Sequence, residues 1–230
     1  MARRKSPVPP RPRIKTDYDL IIFDCDGVLV DSELLSCNCL MDVLRRHEIA
    51  ADIDTVFEKF LGRSAQAVSE HYRRLGRAIP RAFSAELRAL VRESFAGSLQ
   101  AIPDVESVLR SLAAPYCVAS SSDLERVEFS LRLTGLSKLF DGRVFTAQMV
   151  RRGKPAPDLF LHAAARMGAD PSRSLVIEDS VSGVQAGKAA GMTVWGFVGG
   201  SHYASRDGQR LLEAAGADRV FDRMADFLRC

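Results

Sequence analysis

The 230-residue sequence predicts an α/β protein: a doubly wound, Rossmann-like parallel sheet with an all-helical cap inserted after the first strand. Two observations carry this. Short apolar runs that suit buried strands recur, each followed by a segment of helical spacing, which is the signature of strands covered on both faces. That alternation then breaks between about residues 34 and 100, where every segment has helical periodicity and none reads as a strand.

The strands expected are "DLIIFD" (19–24), "YCVASS" (116–121), "SLVIED" (174–179), "MTVWGFV" (192–198) and a weaker "GRVFTA" (142–147). Helical patterns over 105–113, 124–134, 158–167, 181–190 and 209–215 alternate with them. Pro157 suits the first turn of the helix near Asp158, and Gly191 sits where a helix C-cap would precede the next strand. In the cap region, Gly62, Gly76 and Pro80 punctuate four helical stretches. The expected organisation is a tail over 1–16, a core over 17–33 and 101–230, and a cap over 34–100.

Composition is that of an ordinary globular protein, 47% hydrophobic and 27% charged. The net charge of +3 misleads, because residues 1–16 hold six of the 32 basic residues and no acid. The remainder carries 26 basic against 29 acidic residues, a net of −3. A mildly acidic body is not expected to bind nucleic acid. The proline-rich tail "MARRKSPVPPRPRIKT" can bury little and is expected to be disordered. It lacks the apolar core of a secretory signal, and no stretch approaches the length of a membrane span. Five scattered cysteines then suggest reduced thiols and a cytoplasmic protein, with Cys37 and Cys39 at ordinary helix positions rather than in a zinc site. A monomer or weak dimer is expected.

Open parallel sheets bind ligands beyond the carboxyl ends of their strands, and four clusters fall at such ends. In "DCDGVLVDSE", the period of an extended chain places Asp24 and Asp26 on one side, and Gly27 lets the chain turn. "VASSSD" ends a strand in hydroxyls, beginning with Ser120 and Ser121. "GKPAPD" presents Lys154 from a stiff, proline-flanked loop, and "LVIEDS" brings Glu178 and Asp179. Singly, each has an ordinary structural explanation: a turn, a cap or a connection. Jointly and in order, they make a cation site facing an anion site. Oxygen ligands without His or Cys suit Mg²⁺, which leaves positions open for water and a phosphate. Ser120, Ser121, the backbone amides that follow and Lys154 would hold the anion. One carboxylate of the Asp24–Asp26 pair can attack phosphorus while its neighbour moves protons.

The four motifs, over about residues 18–228, resemble the haloacid dehalogenase superfamily, specifically its phosphatase branch with a small helical cap. The resemblance implies that Asp24 is the nucleophile and Asp26 the general acid/base. It implies that Asp24, the Asp26 carbonyl and Asp179 bind Mg²⁺, with Glu178 directly or through water, and that Ser120 and Lys154 hold the phosphoryl group. Dehalogenases of this superfamily usually lack the second acid of the pair, so Asp26 points away from that chemistry. Beta-phosphoglucomutases share the cap type, but Ser36 and Ala65 stand where their pattern has a histidine and an arginine. "APYCVASSS" is similar to bacterial sugar-phosphate phosphatases. The expected activity is hydrolysis of a small phosphorylated metabolite, such as a sugar or polyol phosphate. The alternatives are a phosphosugar mutase and a non-catalytic phospholigand-binding module. Arg63 and Ser64, at a helix junction of the cap, are expected to select the substrate. His202 in "GGSHYAS" is expected to be a solvated loop histidine near the rim.

Overall fold

The computed structural model describes residues 16–62, 65–77 and 79–229. A single parallel sheet organises it, with strands β1 (Leu20–Phe23), β2 (Tyr116–Ser120), β3 (Val144–Thr146), β4 (Ser174–Glu178), β5 (Thr193–Phe197) and β6 (Arg219–Phe221). Their order is β3-β2-β1-β4-β5-β6, so β1 and β4 lie centrally and the winding direction reverses between these two strands. β1 reads as a continuous apolar run because both of its faces are covered: all four residues are buried. Ile21 and Phe23 join the hydrophobic cluster on one face, while Leu20 and Ile22 join that on the other.

Helices α5 (Val105–Ser111) and α6 (Leu124–Leu133) cover the first face. Helices α7 (Asp158–Met167), α8 (Val181–Ala189) and α9 (Gly208–Ala214) cover the second. Local chemistry sets their ends. The Asp123 carboxylate accepts from the Arg126 N–H at 2.9 Å to start α6, and the Ser180 hydroxyl accepts from the Gly183 N–H to start α8. Gly168 closes α7 with φ of 69°, in the left-handed region that glycine enters without strain. Gly191 follows α8 with φ of 73° and turns the chain into β5.

The sixth strand, β6, is absent from the sequence expectation. It has three residues, begins at an exposed Arg219 and pairs only with β5, too short to show a period.

Between β1 and β2 lie four cap helices: α1 (Glu33–Arg46), α2 (Ile53–Phe60), α3 (Ala65–Arg74) and α4 (Phe83–Ser98). No strand occurs among their described residues. They share an apolar cluster of their own, in which Leu44, Val56 and Phe83 are fully buried. Asp52 caps α2 through the Thr55 N–H at 2.7 Å. Cys37 and Cys39 are buried on α1, and the four described cysteines are all free. No helix among the described residues is long and apolar enough to cross a membrane. Residues 1–15 of the tail, and Arg63 and Ser64, lie outside the described residues.

Candidate active site

A cleft of about 1030 Å³ opens between the strand ends and the cap, and the predicted motif residues converge on its floor. β1 ends beside Asp24 and Asp26, β2 at Ser120, and β4 at Glu178 with Asp179 following. All five are buried, yet Asp24, Asp26, Ser120, Glu178 and Asp179 all line the cleft. The chain turns after Asp26 through Gly27 at φ of 75°. A Cβ there would stand 1.8 Å from Asp179 Oδ2, so a side chain would displace Asp179 as well as strain the backbone.

Lys154 is the electrostatic centre. Its Nζ donates to Asp24 Oδ1 at 2.6 Å, to Glu178 Oε1 at 2.6 Å and to the Ala119 carbonyl at 2.9 Å. Burial alone would favour the neutral amine, but Asp24 and Glu178 overcome it and raise the lysine above its ordinary range. Glu178 is fixed from its other side, where Oε2 accepts from the Ser180 N–H and hydroxyl. Gly183 leaves the space that this carboxylate fills, since a Cβ there would meet it at 1.8 Å. Burial pushes Asp24 well above the usual carboxylate range; Lys154 opposes this, and Glu178, Asp179 and Asp26 reinforce it.

Asp26 sits in a different environment. Ser32 and Ser122 each donate a hydroxyl to it at 2.6 Å, and Arg126 donates at 3.0 Å. Burial works against its charge, but Arg126 and the two hydroxyls prevail and hold it below the usual range. Arg126 also donates to the Ser36 hydroxyl on α1, so one guanidinium joins the core acid to the cap. Ser120 Oγ accepts from the Ser122 N–H at 3.0 Å, which tightens the turn after β2, and Ser121 lines the cleft beside it. Ala65 also lines the cleft.

Asp179 Oδ2 is buried without a well-formed hydrogen bond among the described residues. Four carboxylates therefore meet two cations, the buried Lys154 side chain and the half-buried Arg126, and one carboxylate oxygen remains unsatisfied. Among the described residues no three His, Cys, Asp or Glu side chains form a closed metal cage. An orphaned hard oxygen beside an excess of negative charge fits a divalent ion that keeps several non-protein ligands.

Sequence reasoning missed Ser122, Arg126 and Glu33 at this site. Ser122 and Arg126 follow Ser120 closely, so their proximity to that motif was the available signal. Glu33 stands within the quoted "DGVLVDSE"; it is buried beside the cleft, where burial, with Asp179 and Asp26 adding, pushes it up to about 8. The expectation for His202 is corrected: its side chain is fully buried, with Nε2 3.1 Å from Asp179 Oδ2. The solvated-loop reading failed because the glycines that make room for the ring lie partly in a distant segment, at Gly27, as well as at Gly200.

Residues 18–191 match the family model of haloacid dehalogenase-like hydrolases. The chain is 30% identical over 191 residues to the 6-phosphogluconate phosphatase of Escherichia coli, covering 80% of this chain and 84% of that protein. It is 35% identical over 182 residues to a fructose-1-phosphate phosphatase of the same organism, covering 76% and 94%. The fold is similar to that of a conserved haloacid dehalogenase-like protein from Agrobacterium tumefaciens, with a TM-score of 0.79, 33% identity, and coverage of 91% and 96%. The chain belongs to the haloacid dehalogenase-like hydrolase family and is a phosphomonoester hydrolase of that type.

Proposed function

We propose that the protein is a Mg²⁺-dependent phosphatase of a small phosphorylated metabolite, a sugar or polyol phosphate, working through an aspartyl-phosphate. The observation that carries this reading is Lys154, buried and bonded at 2.6 Å to both Asp24 and Glu178 at the mouth of the strands. A cation so held keeps the Asp24 carboxylate oriented and offers positive charge to an incoming phosphoryl group. Asp24 attacks phosphorus, and the bond to the leaving oxygen breaks as that oxygen takes a proton from Asp26, which is held ionised in the free site by Arg126, Ser32 and Ser122 and so must take up that proton as the substrate binds. Water then attacks the acyl phosphate, Asp26 takes the water's proton, and inorganic phosphate leaves with the Asp24 carboxylate restored. Ser120, Ser121 and the amides beyond β2 face the phosphoryl oxygens. Asp24, the Asp26 carbonyl and Asp179 would hold Mg²⁺, which when bound would supply positive charge against the phosphate dianion. Glu178, with both oxygens taken by Lys154 and Ser180, positions Lys154 and would act on a bound ion through water.

Residues 34–100 are proposed to act as a cap over a core of 17–33 and 101–230, with Arg63 and Ser64 contributing to substrate choice. A cytoplasmic location is proposed from the free, buried cysteines.

Hydrolysis is favoured over mutase chemistry because Ser36 and Ala65 stand at the two cap positions where the mutase pattern has a histidine and an arginine. Ser36 is moreover engaged by Arg126. Incubation with beta-glucose 1-phosphate, Mg²⁺ and a trace of the bisphosphate should release inorganic phosphate without accumulating glucose 6-phosphate. Stoichiometric glucose 6-phosphate with negligible free phosphate would replace the hydrolase reading by the mutase.

A further inference from the structure

The two walls of the cleft differ in charge. Its core floor carries Asp24, Asp26, Asp123, Glu125, Glu178 and Asp179. Its wall from α3 and α4, with the turn between them, carries Arg73, Arg81, Arg88 and Arg92 and no described acid. Arg92 is occupied, paired to Glu125 at 3.3 Å and stacked on Phe129. Arg73, Arg81 and Arg88 line the cleft with no hydrogen-bond or ion-pair partner among the described residues. Resting on the phosphatase reading, we propose that this wall is a second anion subsite, and that the substrate is a phosphorylated sugar acid whose carboxylate lies away from its phosphate. A phosphate on the floor takes Lys154; a carboxylate at the other end of a short carbon chain takes the guanidinium groups, which match its two oxygens. A neutral sugar phosphate leaves them unpaired.

The test compares 6-phosphogluconate with glucose 6-phosphate, which share a six-carbon chain and a terminal phosphate but differ by a carboxylate, with p-nitrophenyl phosphate as control. Wild-type kcat/KM should favour the acid by about tenfold or more, the scale of one charge-assisted contact. The exposed double variant Arg81→Gln/Arg88→Gln should lose that preference through KM while p-nitrophenyl phosphate turnover stays within about threefold. Equal kcat/KM for the two sugars in the wild type, or equal loss on both in the variant, would overturn the subsite and leave the phosphatase reading intact. Failure to hydrolyse p-nitrophenyl phosphate would instead overturn the phosphatase reading; calorimetric binding of the two sugar phosphates would then decide the subsite alone.

A second inference stands on the segment after β5. Ser201 donates through its N–H and hydroxyl to Asp31 Oδ1, both at 2.9 Å, just before the cap begins. His202 Nε2 lies 3.1 Å from Asp179 Oδ2, a close polar approach that is not aligned as a hydrogen bond, and the Tyr203 hydroxyl donates to the Asp179 carbonyl. Arg206 lies 5.0 Å from the ring centre of Phe57 on α2. The sequence reserves the space: a Cβ on Gly200 would stand 2.7 Å from the imidazole, and one on Gly208 2.4 Å from Tyr203. The geometry points to His202 and Tyr203 as positioning residues that hold Asp179 for the metal. His202→Phe keeps the volume but removes the ring nitrogens, and should weaken Mg²⁺ binding measured by calorimetry by about 10- to 100-fold. His202→Gln, which restores a nitrogen near Nε2, should recover most of it. Melting temperature in EDTA reports folding separately, and Tyr203→Phe serves if His202→Phe does not fold. Unchanged Mg²⁺ affinity in the folded variants would overturn this assignment.

Discussion

Asp24→Asn should abolish phosphate release while leaving the protein folded. The two side chains are nearly the same shape, and the asparagine oxygen can still accept from Lys154, now 2.6 Å from Asp24 Oδ1. What disappears is the negative charge, and with it the nucleophile. The buried carboxylate at this position stands against Glu178, Asp179 and Asp26, so its neutralisation relieves repulsion, offset by the weaker bond to Lys154. The melting temperature should therefore stay close to that of the wild type. Turnover of p-nitrophenyl phosphate should fall by at least about a thousandfold, because Asp26 is held by Ser32, Ser122 and Arg126, and Glu178 by Lys154 and Ser180. A variant that kept a tenth of wild-type turnover would show that Asp24 is not the attacking group.

Asp24, Ser120 and Glu178, which sequence reasoning placed at the site, share one property that Lys154 on its proline-flanked loop lacks: each ends an apolar run. A buried strand of a parallel sheet is legible because both faces exclude polar residues, so the first acid or hydroxyl after it marks the rim where ligands bind. "LIIF" before Asp24 and "LVI" before Glu178 are legible in this way. The cap was legible for a related reason, since its helices repeat apolar residues with a helical period that no strand would tolerate. Arg126 was not. It lies on the exposed-looking first turn of α6, and only the tertiary fold brings it to Asp26, 100 positions earlier, and to Ser36 on the cap. His202 was obscured similarly: glycine and serine neighbours suggest a loop, and the missing Cβ of Gly27 has no local signature in that segment. β6 escaped because three residues at a sheet edge show no period.

Removal of divalent metal should stop catalysis completely, and added Mg²⁺ should restore it. The floor holds Asp24, Asp26, Glu178 and Asp179, all buried, against Lys154 and Arg126. Lys154 is shared between Asp24 and Glu178, and Arg126 is bonded to Asp26, which leaves Asp179 without a cation among the described side chains unless His202 is protonated. Burial lowers the affinity of His202 for a proton, so it does not fill that role at neutral pH. A phosphate dianion entering such a floor meets like charge at close range, where each uncompensated contact costs on the order of 4 kcal/mol at the effective dielectric of a protein surface. Two such contacts exceed what one shared lysine returns. Dialysis against EDTA, with metal content measured, should thus reduce turnover to background. Mg²⁺ should recover it, whereas Zn²⁺ should not, because the floor offers oxygen donors and no thiolate, and its one nearby imidazole is turned against Asp179. Full turnover in verified metal-free protein would overturn the metal-assisted mechanism and require Lys154 and Arg126 alone to neutralise the phosphate.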